Sequence, residues 1–418
     1  MTLSEELQWR GLLNQTTIKD LNTLDNTSIT FYWGVDPSAD SMTIGNLAAA
    51  MLVKNLIKHG HKAVALIGGA TGLIGDPDGK SQERDLITQD EINSNKEKIV
   101  AQYNKIFGEG NFDLVDNYDW FKDFGYLNFL REVGKNVPMR QMLGRDFVQS
   151  RLSEDGKGIS YAEFSYVLIQ AYDFLYLFNN HNVTLQVCGA DQWGNSIAGV
   201  DLIRRKTGNE ANVLSIPLIV DDITGVKFGK SEEGAIWLDP NKTTPTSFYQ
   251  FWINLPDNNV ESYLKIFTEL SKEEIENLIE ENKADFKERI AQKKLAYEVT
   301  KLVHGEAAAI KAQKVTDVLT SKVNLNEIND ENLLNELRKE IPNVKIVENA
   351  ELAQVLVDAS LASSKTEARQ LIANNAVSIN GQKSTKETLE NSDFIDGRLI
   401  LRRGKAFKDS ALVEIDNK

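Results

Sequence analysis

The sequence predicts an α/β protein: a doubly wound parallel sheet, then an α-helical region, then a small α+β tail. Three observations carry this. Apolar strands recur, and each runs into a glycine-rich turn and then a helix, the pattern of parallel strands joined by crossover helices. From about residue 245 the strands stop and helical periodicity takes over. From about 349 two short helical segments precede strands separated by the turn pair Asn380-Gly381. The boundaries expected are 1–245, 246–320, a linker at 321–348, and 349–418.

Residues 1–28 read as an amphipathic helix and a polar turn. Ser28 to Val35 is rich in β-branched and aromatic residues and reads as a buried strand, followed by the turn Asp36-Pro37-Ser38-Ala39-Asp40-Ser41 and a helix over 45–59. A second strand, Ala63–Ile67, opens into Gly68-Gly69-Ala70-Thr71-Gly72. Helices are expected near 88–107, 119–133, 138–152 and 161–179. A third strand, Thr184–Cys188, precedes Gly189-Ala190-Asp191-Gln192-Trp193-Gly194-Asn195 and a helix to about 206. A fourth, near 213–220, leads to the loop from Asp221 to Gly234. In such sheets a ligand sits outside the carboxyl ends of the strands, where these turns lie.

Residues 247–316 read as helical throughout. The lysine-rich stretch at 287–305 reads first as a packed helix and second as a surface facing nucleic acid. Residues 317–348 are polar and short of aromatics, which predicts a linker. The tail gives helices at LAQVLVDA and SKTEARQLIANN, a strand at Ala376–Ile379 and a last strand at Arg398–Arg403.

Composition narrows the class. The 418 residues are 41% hydrophobic and 26% charged, ordinary for a globular chain. A single cysteine, Cys188, excludes an internal disulfide and a cysteine-based zinc cluster, and it fits a reducing compartment. The opening MTLSEELQWRGLL carries two glutamates and no basic run, unlike a secretory or transit signal. No stretch approaches the roughly 18 apolar residues of a membrane span, so the expected setting is the cytoplasm, with no membrane partner. The net charge of −14 is uneven: residues 351–418 hold ten basic and ten acidic side chains of the 47 and 61 in the chain. An acidic body with a neutral, locally basic tail remains compatible with RNA held at selected patches.

One helix stands out. Phe164 to Leu175 is apolar all round, yet Tyr166, Gln170 and Asp173 fall at i, i+4 and i+7 and share a face. A carboxylate and an amide on a buried helix are costly without partners. They form either an internal hydrogen-bond network or one wall of a pocket for a ligand with a cation and a hydroxyl. The loop Lys227-Phe228-Gly229-Lys230-Ser231 places two lysines three residues apart around a glycine, suited to an anion that changes during reaction; alone, it also reads as a solvated turn.

These stretches, with Thr43-Ile44-Gly45-Asn46 and Asp76, occur in an order that closely resembles the bacterial tyrosyl-tRNA synthetases, class I enzymes with a Rossmann-type core. The resemblance covers nearly the whole chain. It implies a catalytic domain at 1–245, an anticodon-arm-binding helical domain at 246–320, and at 349–418 an RNA-binding domain of the ribosomal-protein type. It further implies a tyrosine–tRNA ligase using L-tyrosine, ATP with Mg²⁺ carried on the nucleotide, and tRNA(Tyr), working as a homodimer through the catalytic domain, with no metal site of its own.

By resemblance, Tyr32 and Asp173 meet the substrate phenol, and Asp76, Tyr166 and Gln170 hold its ammonium group. Asp191 and Gln192 border the ribose and carboxylate. Gly34, Asp36, Ser38, Thr43, Gly45, Asn46 and Gly189 belong to the ATP site. Lys80, Arg84, Lys227, Lys230 and Ser231 lie near the departing pyrophosphate. One departure matters: the family's first signature usually begins with histidine, where this chain has Thr43. A relative that has lost aminoacylation would be consistent with that change alone; a ligase for tryptophan would leave Tyr32 and Asp173 without a phenol.

Overall fold

The computed structural model describes residues 1–77, 87–144, 146–153, 155–220, 230–231, 234–320, 331–404 and 409–416, with the backbone alone at Gln141, Asp146, Phe147, Lys230 and Ser231. The chain forms two compact units: residues 1–239 with 258–283, and 240–257 with 284–418. Residues 258–283, expected in the helical region, thus belong to the first unit.

In the first unit five strands, β1 (Thr30–Val35), β2 (Lys62–Ile67), β3 (Phe112–Asp116), β4 (Leu185–Gly189) and β5 (Asn212–Ile216), form one parallel sheet in the order β3-β2-β1-β4-β5. The order reverses between β1 and β4, which makes their carboxyl ends the switch point where such sheets bind ligands. β3 was not expected from the sequence. It is an edge strand, partly exposed and carrying Asp113 and Asp116, so it lacks the continuous apolar run that marks its neighbours.

Tyr32, Val64 and Leu66 pack with the helix Tyr161–His181 and with Ala198, Leu202 and Ile203 of the helix Trp193–Thr207. Trp33 meets Tyr103 and Phe107 of the helix Gln89–Phe107 at ring separations of 5.4 and 6.0 Å. The alternation of Tyr32 and Trp33 between these two sets is the period-two geometry of a strand buried on both faces. The Tyr161–His181 helix starts where it does because Ser160 accepts from Glu163 N at 3.2 Å in a capping box, and it stops at Asn182, which takes a left-handed φ of 56°.

In the second unit the helices Pro245–Ile253, Ile290–His304 and Glu306–Leu319 pack together, with Gln250 Nε2 donating to Thr316 Oγ1 at 2.6 Å. Residues 331–348 are not the linker expected: Glu331–Glu340 is a helix and Asn343–Ile346 a strand, while 321–330 lie outside the described residues. Leu334, Leu337 and Ile341 recur at helical spacing and join Val315, Val318, Leu319, Ile400 and Leu412 in one buried cluster. Polarity and a lack of aromatics hid that stripe, because three apolar residues suffice to bury one face of a short helix.

The tail sheet runs β10-β9-β11-β12-β8, numbering β6 (Lys230–Ser231) and β7 (Gly234–Ala235) in the first unit and β8 (Asn343–Ile346), β9 (Val377–Ile379), β10 (Gln382–Lys383), β11 (Arg398–Arg403) and β12 (Ser410–Ile415) in the second. β12 also went unforeseen, although it pairs with both β11 and β8. Glu414 on it accepts from Arg338 at 2.7 Å and from Asn343 at 2.9 Å, which holds its carboxyl below the usual carboxylate range.

Candidate active site

Four strand ends of the first sheet open on a cavity of about 490 Å³, within the range of small-molecule sites. Its walls include Tyr32, Gly34, Asp36 and Ser38 from β1 and its turn, and Thr43, Gly45 and Asn46 from the start of the Ile44–Lys58 helix. Asp76 follows the short helix Gly69–Ile74 after β2; Tyr166, Gln170 and Asp173 come from the Tyr161–His181 helix; Gly189, Asp191 and Gln192 from the end of β4. The structure thus brings together every candidate residue whose side chain it describes. Lys80, Arg84 and Lys227 lie outside the described residues. Lys230 and Ser231 form β6, paired with Ala235 and Gly234 of β7, and Ala235 reaches the cavity wall.

Several of these polar groups are set by partners distant in sequence. Asp173, 1% exposed, accepts from Asn117 Nδ2 at 3.0 Å and from Trp120 Nε1 at 2.9 Å, one donor on each oxygen. Both oxygens therefore present themselves as acceptors, with lone pairs left for a further donor. Burial pushes this carboxyl well above its ordinary pKa, while the two donors pull it back. The Tyr32 hydroxyl is buried with no hydrogen-bond partner, and burial, then the charge of Asp173, raise its pKa. Gln170 Oε1 is likewise buried and unpartnered.

Tyr166 donates to Asp36 Oδ2 at 2.7 Å, so its oxygen remains free to accept. Asp36 Oδ1 takes Thr71 Oγ1 at 2.6 Å. Gly68 lets these groups meet: a Cβ there would lie 2.0 Å from Asp36 Oδ1. Gln192 donates to Asp76 at 2.5 Å, and Asn195 donates to Gln192 at 3.0 Å. Asp36, Asp76, Asp173 and Asp191 give the cavity four carboxylates, and its described walls hold no lysine, arginine or histidine. Such a cavity attracts a cation; cations for an anionic partner must come from elsewhere.

The unusual Thr43 has a local role. It is the N-cap of the Ile44–Lys58 helix, and its N–H and hydroxyl both donate to Asn46 Oδ1, at 3.0 and 3.1 Å. With its carbonyl oxygen engaged, Asn46 has its amide donor end left for a ligand.

Sequence reasoning missed Asn117, Trp120, the hydroxyl of Thr71, and Gln186, which also lines the cavity. Asn117 and Trp120 follow β3, the strand that composition concealed. A polar residue inside the apolar run of β4 was the available signal for Gln186.

A family model described as "tRNA synthetases class I (W and Y)" matches residues 24–320, and one for a "Tyrosine--tRNA ligase SYY-like C-terminal domain" matches 333–408. The chain is 43% identical over 416 residues to the tyrosine–tRNA ligase of Lactococcus lactis, covering 97% of this chain and 98% of the relative. It is 44% identical to tyrosine–tRNA ligase 2 of Bacillus cereus, covering 99% and 100%. A solved, C-terminally truncated mitochondrial tyrosyl-tRNA synthetase of Aspergillus nidulans superposes with a TM-score of 0.67 at 31% identity, over 75% of this chain and 92% of that one.

Proposed function

Because the chain belongs to the class I tRNA synthetases of the tryptophan and tyrosine family, and its full-length relatives are tyrosine–tRNA ligases, we propose the following reaction for its cavity. The protein is a ligase that activates L-tyrosine with ATP and passes the tyrosyl group to the 3′ end of tRNA(Tyr). A carboxylate oxygen of tyrosine attacks the α-phosphorus of ATP, the bond to the β-phosphate breaks, and pyrophosphate leaves. A terminal ribose hydroxyl of the tRNA then attacks the adenylate carbonyl and AMP departs. No side chain forms a covalent bond; the protein positions the reactants and stabilises charge where it develops.

The observation that carries this reading is the Tyr32 hydroxyl, buried without a partner beside an Asp173 carboxylate held as an acceptor. A phenol can donate to Asp173 and accept from Tyr32. Tryptophan would leave Tyr32 unpaired, whereas Asp173 already has donors, so Tyr32 is the stronger discriminator. Asp76, the Tyr166 oxygen and Gln170 suit the ammonium group, and Gln192 and Asp191 the carboxylate and ribose. Gly34, Asp36, Ser38, Thr43, Gly45, Asn46 and Gly189 border ATP. Lys80, Arg84, Lys227, Lys230 and Ser231 supply the charge the cavity walls lack, at the pyrophosphate. Mg²⁺ travels on the ATP phosphates.

The tail and the helices of the second unit bind the tRNA. The protein works in the cytoplasm as a homodimer through its catalytic unit: Tyr126, Leu127, Met139 and Tyr161 are 57–79% exposed there, with the Tyr126 and Tyr161 hydroxyls 3.2 Å apart. Among the described residues no helix is long and apolar enough to cross a membrane. Charging tests the whole reading. Purified protein with ATP and tyrosine should esterify tRNA(Tyr), seen as a shift on an acid gel and reversed by mild alkali. No shift with tyrosine, at any enzyme concentration that folds, refutes it.

A further inference from the structure

Three buried polar atoms of the cavity residues have no hydrogen-bond partner: the Tyr32 hydroxyl, Gln170 Oε1 and Gln186 Oε1. The first two fall at positions assigned above to tyrosine, and the third does not. Gln186 lies on β4 in parallel register with Tyr32 on β1. In-register residues of neighbouring parallel strands point to the same face, with strands about 5 Å apart. Gln186 is 3% exposed, as buried as its neighbours Leu185, Val187 and Cys188. A central strand buried on both faces ordinarily carries only apolar residues, and an amide there is costly unless something meets it.

Resting on the reading of this cavity as the tyrosine site, we infer that Gln186 is a further specificity-determining residue: beside Tyr32, its carboxamide completes the socket for the ring hydroxyl. Asp173 can only accept, so it takes the phenol proton. The phenol oxygen then needs donors, and Tyr32 provides one. The Gln186 carboxamide provides the second when its end is turned so that the nitrogen takes the place of the orphaned oxygen. Phenylalanine leaves both donors unpaired, so its rejection is shared between them rather than carried by Tyr32 alone.

The test is ATP–pyrophosphate exchange with tyrosine and with phenylalanine, on the full chain and on Gln186→Met, which keeps length and removes both polar ends. The expected result is a fall of about tenfold in kcat/KM for tyrosine, borne by KM, the scale of one hydrogen bond, with phenylalanine unchanged or raised. In a Tyr32→Phe background the same substitution should cost less, because the two donors share one oxygen. Gln186→Asn, which keeps the amide but shortens its reach, should give the same direction and serves if the methionine form does not fold. Equal losses for both amino acids, or an unchanged ratio, overturn the assignment and leave Gln186 a packing residue. An unsubstituted chain that fails to activate tyrosine strikes the reading of the cavity itself.

Discussion

Tyr166 donates its hydroxyl to Asp36 at 2.7 Å, tying the helix Tyr161–His181 to the turn after β1. From Asp36 the bonds continue to Thr71 at 2.6 Å, from Thr71 to Asn117 at 3.0 Å, and from Asn117 to Asp173 at 3.0 Å. The path leaves one helix and returns to it seven residues later, passing three strand ends on the way. It fixes which pocket groups donate and which accept before a ligand arrives, the preorganisation that a binding site requires.

Breaking the first link should therefore weaken tyrosine binding without disturbing the chemistry. In Tyr166→Phe the ammonium group loses an acceptor and Asp36 a donor. The tyrosine dissociation constant is expected to rise about tenfold, with the rate at saturation changing little. Equilibrium titration alongside single-turnover adenylate formation separates the two. An unaltered affinity would place Tyr166 outside the ligand's reach.

The pH dependence of specificity should follow Asp173. Burial, its largest influence, raises its pKa, and the Asn117 and Trp120 donors act in the opposite sense. The folded form thus holds its proton more tightly than the unfolded chain. Its contribution to stability is fully present below the unfolded pKa and is lost as pH rises through the raised folded value. Function runs the other way, because the ionised acceptor selects tyrosine. Asn117→Ala removes a lowering donor, so the preference for tyrosine over phenylalanine should collapse at a higher pH than in the unsubstituted chain. Profiles of kcat/KM for both amino acids check this; an unmoved acidic limb would contradict it.

The lysine loop and Thr43 should act on the same transition state. Lys230→Ala is expected to slow adenylate formation by roughly 10²–10³-fold, the scale of one lost preorganised donor, while tyrosine affinity holds. Thr43→His restores the residue common in the family but removes an N-cap hydroxyl that donates to Asn46 at 3.1 Å. A local stability cost of about 1 kcal/mol is expected, with the adenylate rate level or higher. Thermal melts and single-turnover rates read the two separately. A sharp fall in rate would mean that the site has been rebuilt around threonine.

A chain ending at residue 320 should keep pyrophosphate exchange and lose tRNA charging, because every described cavity residue lies in the first unit. It should also lose stability in the second unit. Val315, Val318 and Leu319 would be stripped of Leu334, Leu337, Ile341, Ile400 and Leu412, at about 2 kcal/mol for each buried side chain exposed. Calorimetry showing an unchanged second transition would contradict the shared core.

What was legible in the sequence was whatever a local period could carry. Tyr166, Gln170 and Asp173 declare a common face by their spacing, and the glycine-rich turns declare strand ends. The partners of Asp173 could not be read that way: Asn117 lies 56 residues away, after an edge strand with two aspartates in five residues. The helix Glu331–Glu340 hid for a related reason, since its apolar stripe makes sense only against Ile400 and Leu412. Gln186 stood out in the sequence only as a polar residue in an apolar strand, and its burial with Oε1 unpartnered became evident in the fold.

The most direct measurement is ATP–pyrophosphate exchange with tyrosine, phenylalanine and tryptophan side by side. Family members of this type reject phenylalanine by about 10⁵-fold, a magnitude taken from tyrosyl-tRNA synthetase itself. The expected result is rapid exchange with tyrosine, exchange with phenylalanine lower by several orders of magnitude, and none above background with tryptophan. Exchange that prefers tryptophan, or fails to separate tyrosine from phenylalanine, would contradict a pocket built around the hydroxyl.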